Sequence, residues 1–183
     1  KYSFTIYSRI ISSSFLSSIN SIVTSSTDNY LKLFSYSSKL LQKQFFFPLP
    51  IYSITSLNSS SLIALSQLDS ATIVNIQQSK TVSHFYAMPN PIMNMFSYPI
   101  ANLLITDSTD GILNTWDTSV LSKVPVESYF IYSDSKLISS DYNSDSSFYY
   151  ALDGKGNAYI KSVKKYSDEV FEGNLIKEDK NRP

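Results

Sequence analysis

Cysteine is absent from this 183-residue chain. That excludes disulfides, thiolate nucleophiles and zinc sites built on sulfur, and it suits a reducing compartment. Histidine occurs once, as His84, so the usual metal-binding sets have no second imidazole and no thiolate to complete them. His84 stands between Ser83 and Phe85 in a stretch that reads as an outer strand, and its expected role is structural rather than that of a general base. Glycine is scarce, at four. No phosphate-cradling glycine loop and no Gly-x-Ser-x-Gly nucleophile elbow is present. Neither sign of charge is in excess, with 15 basic and 15 acidic residues. No global field therefore recruits nucleic acid or an anionic membrane, and direct nucleic-acid binding is not expected. No stretch approaches the roughly 18 apolar residues of a membrane helix. The most apolar run, residues 45–51, is interrupted by Pro48 and Pro50. No basic segment followed by an apolar block marks a signal peptide. The expectations are no membrane insertion, an intracellular location (cytoplasmic or nuclear), and a natural start upstream of Lys1.

What is there points to strands. Hydrophobic residues make up 43% of the chain and aromatics 14%, too much apolar surface for a disordered segment. Ser, Thr, Tyr, Phe, Ile and Val dominate the ordered-looking stretches, which favours β over α. The serine excess has two readings, a structural one and a nucleotide bias of the source genome.

Four segments repeat one design: an alternating apolar run, a short polar turn, then a second alternating run, the pattern of a β-hairpin. They are residues 21–35, 61–76, 102–117 and 147–162. The turn aspartates Asp28, Asp69 and Asp110 follow one another at intervals of 41 residues. In the fourth segment Lys155 takes the aspartate's place, 45 residues after Asp110. Shorter apolar runs flank each hairpin. Those before it are residues 10–16, 51–57, 92–98 and 136–141. Those after it are residues 40–47, 81–88, 123–130 and 166–171. Prolines 48, 50, 89 and 91 fall between repeats, where a missing N–H is tolerated. Pro125 alone falls inside a predicted strand, an outermost one.

At the third repeat the match becomes specific. Ser108-Thr109-Asp110-Gly111-Ile112-Leu113-Asn114-Thr115-Trp116-Asp117 resembles the WD-repeat consensus of Ser-x-Asp-Gly, a strand and a closing Trp-Asp. The first repeat keeps Ser26 and Asp28, puts Phe34 in the tryptophan position, and has Asn29 for glycine and Ser35 for the last aspartate. The second keeps Asp69. The fourth keeps Gly156 and loses Trp and Asp. The family's Gly-His dipeptide is absent.

The resemblance implies an all-β propeller with four recognisable four-stranded blades, at about 8–47, 48–88, 89–130 and 131–173, followed by a charged tail or linker at 174–183. A period of about 40–45 residues is that of such blades. Four are fewer than the seven usual in this family, so the expectation is part of a larger ring, completed by further sequence or by a partner chain. The resemblance also implies that Ser26, Asp28, Phe34, Asp69, Ser108, Asp110 and Trp116 brace the blades through a hydrogen-bonded network whose fourth member, a histidine, is missing here. Family membership further implies a eukaryotic, non-catalytic scaffold that binds other protein subunits in a multi-subunit complex, with no cofactor, metal or small-molecule substrate. Phe85, Tyr86, Met88 and Met93, around a connection between repeats, are candidate interface residues, since exposed aromatics and methionines anchor interfaces. The rival reading is a glycosidase-like propeller hydrolase using channel carboxylates, with Asp134, Asp141 and Asp145 as its acids. The box spacing favours the WD repeat, because glycine follows Asp110 directly and Trp116 comes six residues after it.

Overall fold

In a computed structural model the chain is all-β, with fifteen strands and no α-helix among the residues it describes. Those are residues 7–57, 61–68, 70–86, 90–98, 102–121, 123–130, 136–142 and 148–162. Among them, no helix is long and apolar enough to cross a membrane.

The first sheet holds β1 (Ile10–Leu16), β2 (Ser21–Ser26), β3 (Tyr30–Ser35) and β4 (Leu41–Phe46). The second holds β5 (Ser53–Leu57), β6 (Leu62–Gln67), β7 (Ser70–Asn75) and β8 (Lys80–Tyr86). The third holds β9 (Ile92–Tyr98), β10 (Leu103–Ser108), β11 (Ile112–Asp117) and β12 (Glu127–Phe130). The fourth holds β13 (Leu137–Tyr142), β14 (Phe148–Asp153) and β15 (Ala158–Ser162). Each sheet is an antiparallel meander in chain order, three of four strands and one of three. The fourth strand expected at 166–171 and the tail at 174–183 lie outside the described residues. Pro125 precedes β12 rather than sitting within it, which corrects the expectation of a strand from 123 and leaves no proline in a described strand.

Local chemistry explains the repeats with so little glycine. Left-handed backbone is required at the same places in different sheets, and asparagine, which tolerates it, supplies several. Asn20 and Asn102 take φ of 46° and 54° ahead of β2 and β10. Asn29 (φ 63°) and Gly111 (φ 82°) take it in the β2–β3 and β10–β11 turns. The third strands end on Ser35, Asn75 and Asp117. Each of these side chains accepts a backbone N–H from the turn that follows, from Ser38, Gln78 and Ser119.

The sheets stack face to face in chain order, and side-chain alternation gives each middle sheet two buried faces. Leu16, Val23, Leu31 and Leu33 of the first sheet pack on Ile54, Ile63, Leu65 and Val74 of the second. The other face of the second sheet, with Ala64, Ala71, Ile73 and Phe85, packs on Ile92, Met95, Leu104 and Trp116 of the third. Ile105 and Leu113 of the third sheet meet Leu137, Tyr149 and Ala151 of the fourth. The face of a sheet that meets the preceding sheet is called here its leading face, and the opposite one its trailing face.

Serine stitches these sheets together along their first strands. Ser12 and Ser14 Oγ accept the N–H groups of Ile54 (3.1 Å) and Ser56 (3.1 Å). Ser53 Oγ accepts the N–H of Met95 (3.2 Å), and the Asn94 amide donates to Ser140 Oγ (3.0 Å). Neighbouring first strands share no backbone ladder. Side-chain oxygens therefore satisfy edge N–H groups that burial would otherwise leave unpaired.

Candidate functional site

The braces of the first and third sheets coincide. Ser26 Oγ donates to Asp28, whose carboxylate also accepts the Tyr30 N–H (3.1 Å), the Ser8 hydroxyl (2.7 Å) and the Lys32 ammonium. Ser108 Oγ donates to Asp110, which accepts the Ile112 N–H (3.4 Å) and the Asn90 amide (2.7 Å). Ser8 and Asn90 each stand 20 residues before their aspartate, in the segment entering the sheet. In both sheets the entering segment thus supplies one donor to the turn aspartate. The signal was present as a polar donor at a constant interval, but the residue type differs between copies. Burial raises the Asp28 carboxyl, and the Lys32, Ser26, Ser8 and Tyr30 donors outweigh it, so Asp28 is held well below the usual carboxylate range.

In the fourth sheet the carboxylate moves two residues back along the chain. Asp153, at the position of Ser26 and Ser108, accepts the N–H groups of Lys155 (2.9 Å) and Asn157 (2.9 Å) and the Tyr159 hydroxyl (3.0 Å). The second sheet differs again. Gln67 pairs with Ser70 across a two-residue turn, one residue shorter than in the first sheet, and Gln67 Nε2 donates to the Leu49 carbonyl (3.0 Å). Asp69 lies in that turn, outside the described residues.

Trp116 is buried, and its Nε1 donates to Thr106 Oγ1 (3.0 Å). Its hydrogen-bonding partner is therefore Thr106, two residues before Ser108 on the same strand. Cross-strand register places Thr24 at the position of Thr106 and Phe34 at that of Trp116. The phenyl ring of Phe34 has no N–H to donate, and the buried Thr24 hydroxyl is left without a partner.

Phe85 is fully buried and stacks on Trp116, ring centroids 5.1 Å apart. That placement corrects its reading as an interface residue: the aromatic ring is spent on the joint between sheets two and three. Met93 is 36% exposed, beside buried Ile92 and Met95. Tyr86 ends β8, and Met88 lies outside the described residues. His84 is half-buried, with Nδ1 2.8 Å from Thr72 Oγ1. Of the three candidate acids, Asp141 lies exposed on β13, while Asp134 and Asp145 fall outside the described residues. Among the described residues no group of three or more His, Asp or Glu is placed to hold a metal ion.

One buried carboxylate escaped the sequence reading. Asp107 sits on the trailing face of the third sheet, where one oxygen accepts the Ser140 and Tyr149 hydroxyls and the other has no partner. Burial pushes its carboxyl up, against the lowering effect of those hydroxyls and of the Asn94 amide. Proximity to a consensus box hid it, since it reads as an ordinary residue of the strand before Ser108.

Among the described residues, the trailing face of the fourth sheet carries a group of exposed apolar side chains. Register places Val23, Ala64, Ile105 and Tyr150 at one position, and Leu33, Ile73, Thr115 and Ile160 at another. In the first three sheets these side chains are buried by the next sheet. In the fourth, Tyr150 is 43% and Ile160 51% exposed, with Ile138, Phe148 and Leu152 exposed around them.

No family model matches the chain, and no curated protein matches it.

Proposed function

We propose that this chain is a WD-repeat-like propeller segment that serves as a non-catalytic scaffold, binding other protein subunits in a cytoplasmic or nuclear complex. The observation that carries this reading is the exposed apolar face of the fourth sheet. Contiguous exposed apolar surface on a folded chain marks a contact site. Rigid strands that hold their connecting loops in fixed positions reduce the ordering entropy that binding costs. The repeat period, the serine–aspartate turn braces and the buried Trp116 support blades of a larger ring. The test is affinity purification of the full-length protein from its native cells, with mass spectrometry of what stays bound. A fixed set of subunits at constant ratio is expected. Recovery of the protein alone, as a stable monomer, would overturn the scaffold reading.

A further inference from the structure

We infer that the joint between the third and fourth sheets is a proton-linked clamp: Asp107 holds the fourth sheet closed while it carries a proton, and losing that proton lets this sheet open by itself.

The third joint departs from the other two on both of its sides at once. On the trailing faces, Ser25 and Ser66 hold one register row in the first and second sheets, and Asp107 holds it in the third. On the leading faces, two rows carry Ile54 and Ile63 in the second sheet and Met95 and Leu104 in the third, all buried. In the fourth sheet the same two rows carry Ser140 and Tyr149. A carboxyl thus replaces a hydroxyl at the joint where two hydroxyls replace apolar side chains. Both hydroxyls donate to one oxygen of Asp107, and the Asn94 amide ties Ser140 to the third sheet as well. The other Asp107 oxygen is buried with no partner. A buried polar cluster that is only partly satisfied is sensitive to any added charge.

The surroundings favour the neutral form. The register partners of Asp107 are Asn94 on β9 and Leu113 on β11, and neither ionises. From the fourth sheet, β13 brings Ser140, while its Asp141 and the preceding Lys136 are exposed. β14 brings Tyr149, and Asp153 on the same face takes donors of its own from Lys155, Asn157 and, on β15, Tyr159. Asp110, past the end of β10, adds a like charge. Among the described residues no lysine or arginine forms an ion pair with Asp107. A neutral carboxyl leaves only a polar atom unpaired there, whereas an ionised one buries a charge. Burial therefore raises the Asp107 carboxyl, against the lowering effect of Ser140, Tyr149 and Asn94. The closed joint keeps its proton at pH values where an open joint, with Asp107 in water, has released it. Closure is fully supported below about pH 4 and loses that support as the pH rises through the folded-state value. Opening uncovers Ile105 and Leu113, both buried in the closed joint.

Hydrogen exchange of the purified full chain, read by mass spectrometry as protection factors between about pH 5 and 8, tests the clamp. Protection of β13–β15 is expected to fall at least about tenfold over that range. At the upper end it should lie at least about tenfold below that of β6 and β7, the mark of a sheet that opens without the rest. Asp107→Asn keeps the size and the acceptor oxygen without the titration, and should limit the fall to less than about twofold. A wild type whose β13–β15 protection is independent of pH overturns the inference. So does an equal fall in Asp107→Asn, because another group, such as His84 on β8, then carries it. A fall with β6 and β7 no better protected than β13–β15 overturns it too, since the carboxyl then acts on whole-chain unfolding and clamps no single sheet.

Discussion

Thr24 and Thr106 occupy the same position in the first and third sheets, both buried, and one substitution is expected to have opposite effects on them. Thr106 Oγ1 accepts the indole N–H of buried Trp116. In Thr106→Val the buried indole N–H loses this acceptor, and a buried unpaired donor costs about 1–3 kcal/mol. Thr24 lies diagonally across from Phe34, whose ring carries no N–H, and the Thr24 hydroxyl is buried without a partner. Thr24→Val removes that orphan group and replaces it with a methyl of similar shape, so a gain of roughly 1 kcal/mol is expected. For a chain of this size each kcal/mol moves the melting temperature by about 2–4 °C. Thermal and urea unfolding followed by circular dichroism read both variants on one scale. In a Phe34→Trp background the sign at position 24 should invert, because the new indole needs the hydroxyl. Two variants that shift stability in the same direction would refute the claim that an unpaired Thr24, rather than the residue type, decides the energetics.

Two carboxylates should pull the stability profile in opposite directions with pH. Asp28 is held below its ordinary range, so the folded state keeps its charge at pH values where the unfolded chain takes up a proton. Its contribution is present above about pH 4 and is lost as pH falls below that. Asp28→Asn should flatten this acid limb, modestly, because Asp28 is partly exposed and water screens the Lys32 pair. Asp107 is pushed up by burial, so the folded state holds a proton that the unfolded chain releases, and its contribution is lost as pH rises above about 4. Asp107→Asn should therefore stabilise at pH 7 and do little at pH 3, and urea midpoints at the two pH values check it. Ser53→Ala leaves the Met95 N–H without its acceptor at the second joint and should cost about 1 kcal/mol. Native-state hydrogen exchange should show faster exchange at the Met95 amide, and unchanged protection there would count against the serine stitch.

The strand pattern was largely legible because alternation and turn chemistry are local. The runs at residues 10–16 and 92–98 coincide with β1 and β9, and three of the four hairpins have turns where serine, aspartate or glycine announced them. What stayed hidden depends on contacts between strands or sheets. An interval of 41 residues aligned Asp69 with Asp28, yet the pairing of Gln67 with Ser70 shortens that turn by one residue. A deletion in the turn and an insertion later cancel in a spacing count. The Thr106–Trp116 hydrogen bond went unread because it runs diagonally between β10 and β11, a cross-strand contact that no local motif marks. Phe85 read as a surface aromatic because nothing local shows that Trp116 of the next sheet covers it.

Four sheets laid face to face create rows of edge backbone along their first strands, and such edges ordinarily recruit foreign strands into aggregates. Many β proteins blunt them with lysine, proline or a glycine bulge. Here the N–H groups of Ile54, Ser56 and Met95 are already engaged by a hydroxyl from the sheet next door. An incoming strand would find no donors there to pair with. Serine is short enough to reach that N–H without wedging the sheets apart, and it carries no charge that burial would penalise. The abundance of this one residue thus serves colloidal safety as well as cohesion, in a sequence that spends almost no glycine on either.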